Sequence, residues 1–420
     1  MSGEFKQHHK ITVDLVGPTA WEGSTPSPFM SNRFTATFSQ PDQHDIVVPG
    51  FFAADGDAAQ TSAESGSVWR AYFRPPTTGE WTVITDFRTG TDAAVTPEAS
   101  NTTAVVSHLT NLTSTFAIQP TDKLEPDFRA KGMLRYVGER YLRFDDGDFF
   151  LKVGADSPEN LLGYFEFDGT YDAGGFRDLQ PDTVDHLHHF PTHGVDWQPG
   201  DPVWGGAAQK GKNLIGALNY LASEGMNAFS FLTYNWGGDG RDVWPFRQGR
   251  SESENYDVSK LAQWELVMEH AERLGIFLHI KMQETENDEQ MDNGDVGRIR
   301  SLYYRELVAR FGHHLALNWN LGEENSQKRR QRKAMTRAMS RLDPYGHHIV
   351  IHNASPPAEA RLDSLLTPLL GTRSMLTGAS IQVQCLQHQF DPPFPACFHQ
   401  CHHSTVSRGL HHACSLLSAD

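Results

Sequence analysis

Short apolar runs that alternate with stretches of helical spacing constrain this chain more than any other feature. The runs are Phe149-Phe-Leu-Lys-Val153, Ala228-Phe-Ser-Phe-Leu232, Ile276-Phe-Leu-His-Ile280, Leu315-Ala-Leu-Asn-Trp-Asn-Leu321, His348-Ile-Val-Ile351 and Ala379-Ser-Ile-Gln-Val383. Each is short enough for a buried strand, and residues 214–222, 258–274, 297–311 and 327–341 between them repeat apolar positions at helical intervals. Repeated βα units with polar residues at each strand's carboxyl end predict a (β/α)8 TIM barrel in preference to a doubly wound sheet. Six strands can be placed and a seventh and eighth cannot, so the barrel is expected to be incomplete, over residues 127–384.

Residues 1–126 read differently. Ile11-Thr-Val-Asp-Leu-Val16, Arg33-Phe-Thr-Ala-Thr-Phe38 and Asp45-Ile-Val-Val48 are short, rich in β-branched and aromatic residues, and separated by Pro, Ser, Asn and Gly. Val68-Trp-Arg-Ala-Tyr-Phe-Arg74, Pro75-Pro-Thr-Thr-Gly-Glu80 and Trp81-Thr-Val-Ile-Thr85 predict a β-hairpin with its turn at the prolines and glycine. Such strands imply a β-sandwich. A second hairpin is expected from Leu134-Arg-Tyr-Val137 and Tyr141-Leu-Arg-Phe144. Asn101-Thr-Thr and Asn111-Leu-Thr match glycosylation sequons, a short pattern that often arises by coincidence. The predicted class is therefore multidomain, β followed by α/β.

Composition excludes several functions. The chain of 420 residues carries a formal charge of −16, which argues against nucleic acid and anionic membranes as partners. The basic residues Lys328, Arg329, Arg330, Arg332, Lys333, Arg337 and Arg341 share one helical segment and read as a solvated outer face. No apolar run approaches membrane-spanning length. The first ten residues hold no apolar h-region, so the chain is expected to be cytoplasmic or to have its natural start upstream. All four cysteines lie at or beyond Cys385, so no disulfide is expected in the main body.

In a barrel, residues just after each strand converge on one mouth. Here they are Asp156 and Asn160; Tyr234 and Trp236; Glu284, Glu286 and Asn287; Asn320, Glu323, Glu324 and Asn325; His352 and Asn353; and Gln382. Carboxylates, amides and indoles suit a sugar, whose hydroxyls both donate and accept and whose faces stack on rings. No Gly-rich phosphate loop follows any strand. Each residue also has a plain structural reading. Trp236 and Trp244 could anchor loops, His279 could be a satisfied core histidine, and Glu284 and Glu286 could belong to a solvated acidic loop. His352 could bind a metal, but no second ligand is suitably spaced, and no cofactor or metal is expected.

The first part resembles the small uncharacterised β-domain that precedes certain carbohydrate-active barrels, on Val48-Pro-Gly-Phe-Phe52, Asp55-Gly-Asp57, Trp69-Arg-Ala-Tyr-Phe-Arg74 and Gly79-Glu-Trp81. The second resembles a clan-A-type glycoside hydrolase near the apiosidase-like group. The supporting residues are Gln283-Glu-Thr-Glu-Asn287, Tyr303-Tyr-Arg-Glu-Leu-Val-Ala-Arg-Phe-Gly312 and Trp319-Asn-Leu-Gly-Glu-Glu-Asn325. The resemblance implies a carbohydrate substrate, an extracellular or periplasmic location and a two-carboxylate mechanism. It sets Leu321-Gly-Glu-Glu against a Leu-Gly-Asn-Glu pattern and so implies Glu324 as acid/base. Glu323 stands where asparagine is usual, which leaves the choice between the two glutamates open. Asn320, Asp156, Asn160, Tyr234, Trp236, Glu284, Glu286, Asn287, His352 and Gln382 are then the expected substrate-binding residues. The nucleophile would follow the seventh strand, where this chain shows no candidate.

Residues 385–420 break the pattern, with all four cysteines, six of the 21 histidines, three charged residues and no periodicity. They read as an aberrant tail, the product of a frame change that truncates the barrel. The alternative is a zinc site using Cys397, Cys401, His411 and Cys414. The expected function is hydrolysis of a glycosidic bond in a polysaccharide or oligosaccharide, inactive or nearly so in this form. The alternative is a glycan-binding protein without turnover.

Overall fold

The computed structural model describes residues 1–96, 103–155, 159–173, 187–238, 241–249, 254–354, 359–383 and 397–401. Nine strands open the chain: β1 (Ser2–Gly3), β2 (Ile11–Trp21), β3 (Asn32–Ser39), β4 (Ile46–Pro49), β5 (Phe51–Phe52), β6 (Ser65–Phe73), β7 (Gly79–Thr89), β8 (Ala104–Val105) and β9 (Thr113–Ile118). They form two antiparallel sheets, ordered β1-β2-β6-β5 and β4-β3-β7-β8, with β9 also paired to β7. Alternation drives this: Trp81, Val83, Thr85 and Phe87 of β7 are buried while their neighbours are less so. Rings from the two sheets meet, with Phe38 stacked on Phe73 at 3.8 Å and Trp69 edge-on to Phe87 at 5.0 Å. Two one-turn helices, α1 (Pro28–Ser31) and α2 (Ala58–Thr61), lie in the connections.

The hairpin expected between residues 68–74 and 81–85 does not form. β6 pairs with β2 and β5, whereas β7 pairs with β3, β8 and β9, so the connecting segment crosses between sheets. Pro75 and Pro76 lack the N–H groups that a continuing ladder requires. Phe73 and Trp81 instead pack ring to ring at 5.1 Å. Arg74 leaves the ladder altogether, donating its backbone N–H to the Tyr345 hydroxyl (3.0 Å) and its guanidinium to Glu272 (2.5 Å).

A small antiparallel sheet follows, of β10 (Leu134–Arg135), β11 (Leu142–Phe144) and β12 (Phe149–Phe150). β10 and β11 are the second expected hairpin, with Leu134 opposite Phe144. The apolar run at 149–153 splits: β12 closes this sheet, and β13 (Gly154–Ala155) starts the next. A Cβ on Gly154 would lie 1.7 Å from the carbonyl oxygen of Ala228, so only glycine permits the approach of β13 to its neighbour.

The parallel sheet then runs β13, β14 (Ala228–Leu232), β15 (Phe277–Lys281), β16 (Leu317–Asn320) and β17 (His348–Val350), adjacent in sequence order. Between them lie α3 (Lys212–Ser223), α4 (Val258–Arg273), α5 (Arg298–Phe311) and α6 (Arg329–Leu342). α4 starts where the Asp257 carboxylate accepts the Lys260 N–H at 2.8 Å, an N-cap. In α6 Met335, Thr336 and Met339 are buried, while Arg329, Arg330, Arg337 and Arg341 are exposed. α7 (Glu359–Leu366) leads to β18 (Ala379–Val383), joined to the end of the parallel sheet by a bridge between His352 and Ser380. β18 also pairs in parallel with β19 (Cys397–Cys401), so part of the segment expected to lack periodicity is a strand. Among the described residues, none of these sheets closes on itself. No helix among the described residues is long and apolar enough to cross a membrane.

The first two sheets pack on α4 and α5 through polar groups as well as apolar ones. Arg305 donates to the Phe34 carbonyl (2.7 Å), Arg310 to the Phe52 carbonyl (3.0 Å), and Lys10 reaches Glu265 (2.8 Å) and Glu269 (2.6 Å). In the parallel sheet, register places Ser230, His279, Asn318 and His348 in one row. Two residues further on, Leu232, Lys281, Asn320 and Val350 form the next row. The residues between them, Phe231, Ile280, Trp319 and Ile349, point to the other face.

Candidate active site

The second of these rows ends at the carboxyl edge of the sheet, where an ionic cluster is buried. Lys281, the last residue of β15, places Nζ 3.0 Å from Glu323 and 2.6 Å from Glu159. Glu323 directs its other oxygen to His352 Nε2 at 2.9 Å, and His352 Nδ1 meets the Ser380 hydroxyl at 2.8 Å. Lys281, Glu323 and His352 are each at most 1% exposed. Burial alone would raise the Glu323 carboxyl, but His352 and Lys281 outweigh it and hold the group down to about 2. Glu323 is therefore a fixed anion rather than a proton donor near neutral pH.

Glu324 is different. It is only partly buried, and its backbone lies in the left-handed region at φ +44°, an arrangement rare for a side-chain-bearing residue. Strain of this kind persists where neighbouring contacts over-determine the chain. On one side the Glu323 N–H donates to the Gln283 carbonyl (2.7 Å), and on the other the Asn325 N–H donates to the His352 carbonyl (3.2 Å). The turn is thus pinned to the ends of β15 and β17, and Glu324 is carried at its outer bend.

The other expected residues separate into groups. Asn320 is buried, with its amide 3.1 Å from His279 Nε2, and His279 Nδ1 in turn meets Lys152 Nζ at 2.7 Å. Burial, reinforced by Lys152 and Lys281, holds His279 well below its ordinary value, so it is neutral. Glu284 is buried, with one oxygen accepting the Thr285 N–H (3.0 Å), and Glu286 is exposed. Both lie beside Gly238, where a Cβ would come within 2.7 Å of Glu286 Oε2 and 3.5 Å of Glu284 Cγ. Asn287 is a loop clamp: it donates to Asn235 (2.7 Å) and accepts the Trp236 N–H (3.1 Å). Trp236 is half-buried against Trp244, with ring centroids 5.1 Å apart.

Two expected binding residues turn away from any opening. Tyr234 is buried between Phe246 and Tyr303 and donates its hydroxyl to Gln290 (2.7 Å). Asn160 donates to the Arg241 carbonyl (3.1 Å) and its oxygen meets His188 Nε2 (2.7 Å), which makes it a loop anchor. Gln382 enters through its backbone, as part of β18. Asp156, the first sequon at Asn101, and His411 and Cys414 of the zinc alternative lie outside the described residues. Sequence reasoning missed Lys281 and Glu159. A lysine closing an apolar strand two positions after a histidine was the available signal for Lys281.

The domain family described as Domain of unknown function (DUF5060) matches residues 4–88. No curated protein matches the chain. Among solved structures, a candidate glycoside hydrolase from Bacteroides vulgatus ATCC 8482 is 14% identical with a TM-score of 0.54, over 93% of this chain and 66% of that one. A glycoside hydrolase family 5 protein from the same organism is 14% identical, with a TM-score of 0.34 over 53% and 39% of the two chains. A glycosyl hydrolase family 2 member from Bacteroides cellulosilyticus DSM 14838 is 11% identical, with a TM-score of 0.33 over 91% and 38%. The structural neighbours are thus glycoside hydrolases, and the likeness in fold rests on the first of them. The chain spans just under two thirds of that protein's length.

Proposed function

We propose that the chain is a glycosidase-type protein, with a β-sandwich followed by an incomplete (β/α)8 barrel, and that Glu324 is the acid/base for cleavage of a glycosidic bond. The observation that carries this is the placement of Glu324. It follows the fourth strand of a parallel sheet whose strands lie in sequence order, on a turn fixed by the buried Lys281–Glu323–His352 cluster. This placement favours Glu324 over Glu323 for the acid/base role. Glu323, already ionised and paired, orients the turn, and Glu324, on the bend of that turn, faces the leaving-group oxygen. Trp236, Glu284 and Glu286, on the loops after β14 and β15, are the proposed sugar contacts.

A two-carboxylate mechanism needs a partner for Glu324 at about 5–10 Å. Among the described residues, neither β17 nor β18 is followed at its carboxyl end by an acidic residue. Slow or absent turnover by this 420-residue chain is therefore expected, and glycan binding without turnover is the second reading. The test is a screen on aryl glycosides and polysaccharides with Glu324→Gln as control. Turnover that falls about 100-fold or more in the variant supports the acid/base role. Turnover indifferent to Glu324 refutes it, and binding with no turnover favours the second reading.

A further inference from the structure

A polar cavity opens between the amino-terminal part and the connections after β13 and β14. Its volume is about 350 Å³, within the range of small-molecule sites. Glu22 and Glu64 line it from the amino-terminal part, and Asp168, Arg247 and Asp257 from the other. Asp168 lies in the connection after β13, and Arg247 and Asp257 lie in the connection after β14. Both connections leave the carboxyl ends of parallel strands, so the cavity is on the same side of the sheet as Glu324.

Beside the lining residue Glu22, Trp21 is 44% exposed. Trp21 donates its indole N–H to Glu64 at 3.1 Å, and the Arg247 guanidinium lies over its ring at 5.1 Å. Arg247 also approaches Glu22 at 3.5 Å and Glu64 at 3.9 Å. Glu22 is 3% exposed and accepts the Val258 N–H at 2.9 Å, so the cavity wall is built into the packing of the two parts.

This chemistry selects a ligand class. The carboxylates of Glu64 and Asp168 repel a phosphate or a nucleic acid, while burial and the neighbouring Asp257 raise the Glu22 carboxyl to about 8. A guanidinium seated between Glu22 and Glu64 occupies the position a divalent cation would need. An uncharged polyol suffers neither objection, because its hydroxyls donate to carboxylates and accept from the guanidinium, while its apolar face meets an indole.

We infer that Trp21, Glu64 and Arg247 form the rim of a carbohydrate subsite built jointly by the amino-terminal sheets and the loop after β14. It shares its ligand class with the reading of Glu324 but none of its residues. A long glycan lying across the carboxyl face of the sheet reaches both, and the amino-terminal part thereby becomes a substrate-holding element.

Affinity electrophoresis of the full chain in gels containing arabinoxylan, glucomannan or galactan, all uncharged, tests the inference. At least one polysaccharide is expected to retard the protein, with apparent affinity about tenfold weaker in Trp21→Ala, equivalent to about 1.4 kcal/mol. Glu64→Gln, at an exposed carboxylate, is expected to weaken it about threefold. Retardation unchanged in both Trp21→Ala and Glu64→Gln overturns the subsite, as does no retardation in any gel. Aryl glycosides, too short to span both places, separate the two claims. Glu324-dependent turnover of these compounds without gel retardation removes the subsite and leaves the acid/base reading in place.

Discussion

His314 Nδ1 lies 3.3 Å from Glu272, while its Nε2 lies 3.1 Å from Glu265, at the junction of the amino-terminal sheets with α4. Carboxylates only accept, so an imidazole that offers both nitrogens to them carries both protons. Arg74 and Lys10 face the same carboxylates from the amino-terminal part, with Glu269 and His313 alongside.

Burial opposes the charge on His314, but Glu265 and Glu272 overcome it and raise the group to about 9. Its ordinary value is about 6.5, so the contribution is complete below about pH 6.5 and lost as pH rises through about 9. Stability is expected to fall by on the order of 3 kcal/mol across that window. His313, held at about 4 by burial, titrates outside it. Urea unfolding from pH 6 to 9.5 checks this, and a slope that persists in His314→Gln assigns the effect elsewhere.

Removing Lys281 is expected to be more damaging than removing its partner. Lys281→Met leaves Glu159 and Glu323 without their buried cation, at a cost of about 3–5 kcal/mol. Glu323→Gln in the same chain should recover part of that loss. A double-mutant cycle measured by chemical denaturation gives the coupling, and additive effects would refute the cluster.

The left-handed turn predicts an unusual pair of variants. Glu324→Gly should be about 1 kcal/mol more stable than Glu324→Ala, because only glycine adopts φ +44° without a steric penalty. Equal melting temperatures for the two would show that the backbone relaxes when the carboxylate is gone.

Where apolar pattern alone determines structure, the sequence was a reliable guide. β14 matches its expected bounds, and β15, β16 and β17 lie within their runs to a residue or two. Long-range partner choice was not legible. The 68–85 segment carries every local sign of a hairpin, yet its two strands enter different sheets, because the aromatic faces of β6 and β7 bury each other. The site shows the same division. Glu324 was visible as a carboxylate after a strand, whereas the ionisation of Glu323 depends on Lys281 and His352, 42 and 29 positions away in the chain. Tyr234 and Asn160 have the residue types of a sugar site but spend their polar atoms on their own loops.

Residues 127–420 expressed alone are expected to be poorly soluble, since α4 and α5 lose the sheets that cover them and Glu265 and Glu272 lose Lys10 and Arg74. Residues 1–126 should fare better, because their unpaired groups would be cationic and near the new surface. Gel filtration and thermal melts of both fragments decide it. A monomeric, cooperatively melting 127–420 fragment would count against this view.

The row Ser230, His279, Asn318 and His348 also bears on how the chain finds its strand pairing. If β15 slid by one residue, Leu278 and Ile280 would replace His279 and Lys281 on the polar face. The displaced imidazole and ammonium would then be pressed into the layer of α4 and α5 without Lys152, Glu159 or Glu323 to meet them. Every neighbouring strand penalises the slip in the same way. A polar stripe that weakens the sheet as a hydrophobic object thus acts as an alignment mark, discarding mispaired intermediates before the turn carrying Glu324 can be assembled on them.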